Sequence, residues 1–240
     1  METLIVPDVH GRSFWRTPLK EIDSFDHIVF LGDYVDPYDG ENISREEAIQ
    51  VLKDIISFKK QYLDKVTLLI GNHDIVYLST EYCKSTSARP RFDYANFKEL
   101  DSIYIENKDL FQIAWECENE KYGRVLFTHA GVTNKFKYIC GLDADQINTF
   151  FLKEKSGETP NIVGLASISW YRGGYSDTGS PIWADVREHL KSQVPQVFQI
   201  FGHTYCKKEI IQKNFAMLDR GDSCYILNSK GLSSYENRGN

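Results

Sequence analysis

The chain has 240 residues, of which 42% are apolar, 13% aromatic and 26% charged, and its 34 acidic and 28 basic residues give a net charge of −6. This composition excludes a disordered, collagen-like or disulfide-scaffolded protein and provides enough bulk for a buried core. No apolar run approaches the roughly 20 residues of a membrane span, and an acidic chain without a block of lysine and arginine is a poor candidate for nucleic-acid binding.

Five short apolar runs, each followed by a polar cluster, are the main feature of the sequence. They are continuous rather than alternating, which is typical of strands buried on both faces. They occupy residues 3–7, 27–31, 66–70, 124–128 and 196–201. We therefore predict five strands of a largely parallel sheet arrangement.

Amphipathic segments between these runs predict helices. Ser44-Arg45-Glu46-Glu47 has the form of a capping box, and apolar residues then recur at helical spacing toward Lys60. Residues 96–105 and 185–191 also have helical patterns, and residues 144–153 are a further candidate. Residues 205–228 are predicted to be extended around a turn at 219–222, at a sheet edge or in a second sheet. Because no repeat or linker interrupts the pattern, we predict one layered α/β domain over residues 1–240.

The polar clusters all follow predicted strands, where open α/β sheets bind their ligands. They are Asp8-Val9-His10-Gly11, Gly32-Asp33-Tyr34-Val35-Asp36, Gly71-Asn72-His73-Asp74, His129-Ala130-Gly131 and Gly202-His203-Thr204. Each residue alone is ordinarily a turn or packing residue, so the inference depends on the whole set. We expect one composite site, built from loops that are far apart in the sequence.

This site offers oxygen and imidazole ligands without sulfur, from Asp8, His10, Asp33, Asn72, His129 and His203. Such a set suits two divalent ions, with manganese, iron and zinc all compatible and calcium disfavoured by the imidazoles. Asp33 is our candidate for a carboxylate shared between two ions about 3.5 to 4 Å apart. Two such ions leave the site positively charged and generate a nucleophile from water, which favours an anionic substrate and needs no serine or cysteine nucleophile.

The five motifs, in this order over residues 8–204, resemble those of the calcineurin-like metallophosphoesterases. Gly32-Asp33-Tyr34-Val35-Asp36 is most similar to the phosphoprotein phosphatase branch, with its bacterial and phage members and the symmetrical dinucleoside tetraphosphatases. The resemblance implies a four-layer α/β fold, a central β-sandwich flanked by helices. It also implies a metal-dependent phosphoric ester hydrolase with two divalent ions, Mn²⁺ first among them and iron or zinc as alternatives.

The resemblance also implies a ligand set for each ion. Asp8, His10 and Asp33 would hold the first ion, and Asp33, Asn72, His129 and His203 would hold the second. Many relatives have another histidine two places after the one that matches His203, where this chain has Tyr205. The phosphoprotein phosphatase branch also lacks that histidine.

Further residues acquire roles from the same resemblance. His73 would be the general acid that protonates the leaving oxygen, and Asp36 would orient its ring and raise its pKa. Arg172, in Trp170-Tyr171-Arg172, resembles the phosphate-binding arginine of bacterial and phage members, and Asn72 would also contact the substrate phosphate.

One motif departs from the family pattern. Phosphoprotein phosphatases usually have Arg-Gly after the second aspartate of their motif, whereas Pro37-Tyr38 follows Asp36 here. An arginine that clamps the phosphate is therefore missing from that place. Arg12, Arg89 and Arg91 are three candidates to compensate for it.

Our leading prediction is a cytoplasmic two-metal phosphatase that cleaves phosphate monoesters by attack of metal-bound hydroxide, with phosphoserine and phosphothreonine proteins among its substrates. The first alternative is a hydrolase of dinucleoside polyphosphates or other nucleotides, favoured by the missing arginine and the aromatic residues near Arg172. The second is a non-catalytic interaction scaffold that retains the fold. We expect no membrane or nucleic-acid partner.

The remaining residues give weaker predictions. The five cysteines are widely spaced and form no Cys-x-x-Cys pair, so we expect reduced thiols. His27 and His189 match no motif and are predicted to be solvated. Residues 77–122 and 134–165 are expected to determine specificity.

Overall fold

The computed structural model describes residues 1–152 and 161–236, and within them the chain forms strands in two sheets. The strands are β1 Thr3–Val6, β2 His27–Phe30, β3 Val66–Leu69, β4 Phe111–Gln112, β5 Ala114–Asn119, β6 Gly123–Thr128, β7 Phe198–Phe201, β8 Ile210–Ile211, β9 Phe215–Met217, β10 Tyr225–Asn228 and β11 Gly231–Ser234. The α-helices are α1 Arg45–Gln61, α2 Ile75–Leu78, α3 Thr80–Ser85, α4 Phe97–Glu106, α5 Lys137–Cys140, α6 Ala144–Leu152 and α7 Val186–Lys191. Short 3₁₀ helices cover Phe14–Arg16, Pro18–Ser24, Lys108–Leu110, Ile162–Ala166 and Trp170–Arg172.

The first sheet has the order β11-β10-β1-β2-β3-β4, and the second has the order β5-β6-β7-β9-β8. Strands β1 to β4 are parallel, while β10 and β11 extend that sheet in antiparallel pairing. In the second sheet β6, β7 and β9 are parallel, and β5 and β8 are antiparallel edge strands. The parallel strands of each sheet thus end on one side.

The two sheets pack face to face, and their buried apolar residues alternate between two cores. Ile5 and Val29 of the first sheet belong to one cluster with Phe127 and Ile200 of the second. Their neighbours along each strand face the other way; Leu4, for example, packs in the cluster that includes the apolar face of α1. Every residue of β1 is therefore buried, which is the physical reason for its continuous apolar run.

Helices cover the outer faces of the sandwich. The apolar stripe of α1, which includes Leu52 and Ile55, packs against the first sheet, and Val186 of α7 packs against Phe201 of the second. The layers are helix, sheet, sheet and helix, so the expected four-layer α/β fold is confirmed. The prediction of a single domain over residues 1–240 stays a prediction.

The predicted helices occur within one residue of their expected bounds. Ser44 caps α1 in a complete capping box, Asn96 precedes α4, and Asp185 caps α7. Helix α6 follows the predicted pattern as far as Leu152, and the expected end at Lys153 lies outside the described residues. Residues 205–228 prove to be shared between the sheets, because β8 and β9 extend the second sheet and β10 pairs with β1.

Among the residues that the structure describes, we find no helix with the length and apolar character needed to cross a lipid bilayer.

Candidate metal centre

All five predicted clusters meet at the carboxyl ends of their strands, where the two sheets face each other. Asp8 and His10 follow β1, Asp33 and Asp36 follow β2, Asn72 and His73 follow β3, His129 follows β6, and His203 follows β7. These side chains are at least nine-tenths buried. Residues that are up to 195 positions apart in the sequence come into contact, as His203 does with Asp8.

The backbone at this edge is bent into unusual conformations. Six non-glycine residues have a left-handed φ in the described part of the chain, and five of them lie here: His10, Asp33, Asp36, Arg91 and His203. Such conformations cost energy for a residue with a side chain, and they cluster at functional sites. Four of these five residues follow a strand of the sandwich, and Arg91 lies in the loop between α3 and α4.

Two motif glycines make room for the carboxylates. A Cβ atom on Gly71 would overlap Oδ1 of Asp33, and one on Gly202 would overlap Oδ1 of Asp8. No side chain fits at either position without displacing an acidic group. The glycines of these two motifs therefore follow from close packing around Asp33 and Asp8.

Asp33 lies at the centre, between two histidines. Its Oδ2 is 3.5 Å from Nε2 of His10 and 3.4 Å from Nε2 of His129. The other ring nitrogen of each histidine donates to a backbone carbonyl, because Nδ1 of His10 is 2.9 Å from the oxygen of Val35 and Nδ1 of His129 is 2.8 Å from that of Leu31. In the neutral rings both Nε2 atoms thus direct lone pairs at a carboxylate oxygen.

Further acceptors converge on the same point. Nε2 of His129 lies 3.1 Å from Oδ1 of Asn72 and 3.0 Å from Nδ1 of His203, and Nε2 of His203 is buried with no hydrogen-bond partner in the described residues. The lone pair of His129 Nε2 faces the side-chain oxygens of Asn72 and Asp33, and such lone pairs repel one another unless a cation lies among them. The donor set therefore fits metal ions.

Two groups of ligand atoms, each within 4.8 Å of one another, could hold an ion. One consists of His10, Asp33 and His73, and the other of Asp33, His129 and His203. Asp33 belongs to both groups, as expected for a shared carboxylate. Asp8, predicted to be a ligand, lies outside both groups.

The carboxylate of Asp8 instead accepts a hydrogen bond from the backbone amide of His203, at 3.0 Å to Oδ1 and 3.1 Å to Oδ2. Burial raises its pKa well above the ordinary value, and the neighbouring Asp219 raises it further. Burial also raises the pKa of Asp33, followed by the charge of Asp74, and it raises that of Asp219 to about 6. Bound cations would offset the cost of burying these carboxylates together.

His73 and Asp36 form a buried pair beside the centre. Nδ1 of His73 lies 2.9 Å from Oδ2 of Asp36, whose Oδ1 accepts from the hydroxyl of Tyr77 at 2.8 Å and from Nη1 of Arg45 at 3.2 Å. Burial raises the pKa of Asp36 to about 7. Contrary to the expected effect of Asp36, burial and then the charge of Arg91 hold the pKa of His73 well below its ordinary value.

Arg172 borders the centre on the side of His203. Its Nε lies 3.0 Å from Oδ2 of Asp185, and its Nη2 donates to the carbonyl oxygen of His203 at 3.3 Å and to the hydroxyl of Thr204. The aromatic residues near it differ in exposure: Trp170 is 66% exposed, Tyr171 43% and Tyr175 99%, whereas Trp183 is buried.

Asp74 has a structural role that the sequence analysis did not assign. Its Oδ2 accepts from the backbone amides of Asp33 and Gly71, both at 2.7 Å, and its Oδ1 accepts from the hydroxyl of Tyr104 at 2.6 Å. This buried carboxylate joins the loops after β2 and β3. Its position after His73, in the third cluster, is the signal that could have pointed to it.

The predicted exposure of two histidines is wrong. His189 is 1% exposed, with its ring packed against Phe201 and Phe215, and His27 is partly buried against the ring of Trp115. Aromatic neighbours from distant strands bury both rings, and their positions are not visible in the local sequence.

Comparisons with known proteins identify the family of this chain. The family model for calcineurin-like phosphoesterases matches residues 1–207. The catalytic subunit of serine/threonine-protein phosphatase 6 from Drosophila melanogaster is 24% identical in an alignment of 221 residues that covers 89% of this chain. The chain spans 60% of the length of that relative.

Two solved structures are similar in fold. A cold-active protein tyrosine phosphatase has a TM-score of 0.58 at 15% identity, covering 98% of this chain and 79% of its own. A protein serine/threonine phosphatase from Saccharomyces cerevisiae has a TM-score of 0.52 at 12% identity, covering 98% of this chain and 80% of its own. With the family match over most of its length, the chain belongs to the calcineurin-like phosphoesterases, hydrolases that act on phosphoric esters.

Proposed function

We propose that this phosphoesterase is a two-metal phosphatase of phosphate monoesters, from the phosphoprotein phosphatase branch of its family. The observation that carries the proposal is the position of Asp33, whose Oδ2 lies within 3.5 Å of the Nε2 atoms of both His10 and His129. A carboxylate between two imidazole lone pairs suits a site in which one oxygen-bearing side chain serves two cations.

The two ions would be held by residues that the two sheets bring together. Asp8, His10 and Asp33 would hold the first, and Asp33, Asn72, His129 and His203 would hold the second. Manganese is the preferred metal, with iron or zinc as alternatives, because the ligands are oxygens and imidazole nitrogens. When bound, the ions polarise the phosphoryl oxygens and supply a nucleophile from water at neutral pH.

His73 donates the proton that the leaving oxygen requires. Asp36 accepts from Nδ1 of the ring and so leaves Nε2 as the nitrogen that faces the site. The negative charge of a bound phosphate ester acts against burial and Arg91 and favours a proton on Nε2. That proton passes to the ester oxygen as its bond to phosphorus breaks, which prevents the departure of an unstable alkoxide.

Asn72 and Arg172 orient the substrate phosphate. The amide of Asn72 lies beside His129, and the guanidinium of Arg172 reaches the backbone of His203. Arginine suits this role because its planar fork matches two phosphate oxygens.

Protein phosphoserine and phosphothreonine are the proposed substrates. The similarity to a serine/threonine-protein phosphatase over 89% of this chain supports this class. The proposed setting is the cytoplasm, where the thiols stay reduced; the cysteines of the described residues are free.

A nucleotide substrate is the second candidate. Its support is the exposed ring of Trp170, which lies in the same short helix as Arg172 and gives a base a surface on which to stack. A panel of substrates separates the two candidates. Faster turnover of a phosphoserine peptide than of dinucleoside tetraphosphate supports the first, and the reverse order by tenfold or more supports the second.

Metal removal tests the central proposal. We expect exhaustive chelation to abolish hydrolysis of p-nitrophenyl phosphate, and Mn²⁺, iron or Zn²⁺ to restore it with about two ions bound per chain by elemental analysis. A chain that binds no ion, or stays inert with each of them, would instead support the scaffold hypothesis.

A pair of histidine variants makes this test residue-specific. His203→Ala removes a proposed ligand, so metal content and activity should fall together. His27→Gln is the matched control, because His27 begins β2 and contacts Thr67, at the opposite end of the strand from Asp33. It should keep both metal content and activity.

A further inference from the structure

Arg91 lies against the segment that stands in place of Arg-Gly after Asp36. We propose that its guanidinium binds the non-bridging oxygens of the substrate phosphate, taking the place of the arginine that this chain lacks after Asp36. The inference rests on the proposed phosphatase function and names a residue for the recognition of its substrate.

Arg91 contacts Asp36 and Tyr38, at the place where relatives have Arg-Gly. Nε of Arg91 donates to the carbonyl oxygen of Asp36 at 3.0 Å, although the two residues are 55 positions apart. Its guanidinium carbon lies 3.7 Å from the centre of the Tyr38 ring, close enough for a cation–π contact. Pro37-Tyr38 thus stands where the family arginine is missing, and the Tyr38 ring contacts the guanidinium of Arg91.

The outer end of the Arg91 guanidinium lies against the histidines of the candidate centre. Nη2 lies 3.2 Å from Nε2 of His73 and 3.5 Å from each ring nitrogen of His10. A phosphate held beside His10 and within reach of His73 would meet this nitrogen. Nη1 has no hydrogen-bond partner in the described parts of the chain, so the guanidinium keeps capacity for a ligand.

The loop around Arg91 is anchored to the same motif. Arg91 has a left-handed φ of 52°, and its carbonyl oxygen accepts from Nη1 of Arg45 at 2.7 Å. The same Nη1 atom lies 3.2 Å from Oδ1 of Asp36. Arg45 therefore fixes the loop to the aspartate that orients His73.

Charge distinguishes Arg91 from the other arginines near the centre. Arg12 is ion-paired with Glu41, Arg45 with Asp36, and Arg172 with Asp185. Within the described residues no carboxylate lies within ion-pair distance of Arg91. Its positive charge is thus available to an anionic ligand.

The other two candidates for compensation are occupied elsewhere. Arg12 donates to both carboxylate oxygens of Glu41, at 2.8 to 3.2 Å. Arg89 donates to the carbonyl oxygens of Cys83 and Thr86, within its own loop. Arg91 alone of the three lies within hydrogen-bond distance of the His10 and His73 rings in the described residues.

Arg91→Ala tests the inference, with Arg89→Ala as a control from the same loop. For Arg91→Ala we expect the KM for p-nitrophenyl phosphate and the inhibition constant of inorganic phosphate to rise roughly 10- to 100-fold, the size that hydrogen bonds to charged groups carry. Metal content and the thermal unfolding midpoint should stay as in the wild type. Arg89→Ala should change both constants less than threefold.

The contrary outcomes are equally specific. Unchanged inhibition by phosphate in a folded, metal-loaded Arg91→Ala protein would overturn the inference. An equal loss in Arg89→Ala would also overturn it, because the loop rather than the guanidinium would then be responsible.

Tyr38 gives an independent measurement. As a positioning residue it should act through Arg91, so Tyr38→Ala should weaken phosphate inhibition in the wild-type background and have no further effect in Arg91→Ala. Such non-additivity is the signature of two groups that work as one. Additive losses would contradict the proposed contact.

Calorimetry with inorganic phosphate separates this inference from the proposed function. If the wild-type protein with Mn²⁺ hydrolyses no phosphate ester, the proposed function fails, and weaker phosphate binding by Arg91→Ala would still support the site. If the wild type is an active phosphatase and both proteins bind phosphate equally, the inference alone fails.

Discussion

At the scale of single residues, the His73 ring is held by one nitrogen and faces the candidate centre with the other. Its Nδ1 is committed to Asp36, while its Nε2 lies among groups that face the centre. The two roles proposed for histidines here, metal ligand and proton donor, therefore predict different consequences of substitution.

We expect His73→Asn to leave the metal ions bound and to reduce kcat by roughly 10² to 10⁴ for esters with poor leaving groups. A good leaving group departs without protonation, so hydrolysis of p-nitrophenyl phosphate should slow much less than that of a phosphoserine peptide. Steady-state kinetics with both substrates, together with elemental analysis, measure this difference. Equal slowing of both substrates would argue against a proton donor, and lost metal would assign His73 to the ligands.

The residues of the site differ in how far local sequence could predict them. His10, Asp33, Asn72, His129 and His203 each directly follow a strand or lie in the loop after it, and parallel strands bring such positions to one edge. Arg91 lies in a loop without regular structure, and its contact with Tyr38 depends on how that loop crosses the sheet edge. Sequence alone left it as one of three equivalent arginines.

At the scale of elements, the N-cap of α1 fixes the position of Arg45, which contacts two residues of the candidate site. Ser44 accepts a hydrogen bond from the amide of Glu47 at 3.1 Å, and Glu47 accepts one from the amide of Ser44 at 2.7 Å. This box fixes the first turn of α1, which begins at Arg45. Arg45 then reaches Asp36 and the carbonyl oxygen of Arg91 from a defined helix end.

Ser44→Ala should lower the free energy of unfolding by about 1 kcal/mol, the usual cost of losing a side-chain N-cap. Ser57→Ala is the matched control, since it makes the same change at an exposed position inside α1, where alanine is the better helix former. Chemical denaturation of both variants measures the difference. A loss in Ser57→Ala as large as that in Ser44→Ala would show that the capping box is not the cause.

Strand prediction succeeded where both faces of a strand are buried. The five continuous apolar runs all contain strands, because these residues lie between the inner core and a helix layer. Edge strand β5 carries Glu116 and Glu118 on a partly exposed face, and β4 has only two residues, so neither gives a continuous run. The segment 205–228 is divided between the two sheets, because β9 pairs with β7 and β10 pairs with β1. No local pattern encodes this long-range pairing.

At the scale of the whole molecule, the layered packing buries an ionisable ring that belongs to none of the five motifs. His189 of α7 lies against Phe201 and Phe215 of the second sheet, and its Nε2 donates to the carbonyl oxygen of Ala130 at 3.1 Å. Its Nδ1 is buried and has no hydrogen-bond partner in the described residues. A proton on Nδ1 would therefore lack an acceptor.

This arrangement makes stability depend on pH. Burial lowers the pKa of His189 from 6.5 to about 4. Below about pH 6.5, His189 binds a proton in the unfolded chain but stays neutral in the folded chain. The free energy of unfolding should therefore fall as the pH drops from 6.5 to about 4. The contribution of one such group is at most about 1.4 kcal/mol per pH unit, or about 3 kcal/mol over this window.

Comparison with His189→Gln isolates this contribution. Glutamine can still donate to Ala130 but does not titrate, and the other histidines and carboxylates are the same in both proteins, so their titration cancels in the difference. Urea denaturation between pH 7 and pH 5, in chelator so that metal binding does not enter, should show a steeper loss of stability for the wild type. Parallel curves would mean that His189 gains a proton in the folded state as readily as in the unfolded chain, and the packing between α7 and the second sheet would then be looser than described.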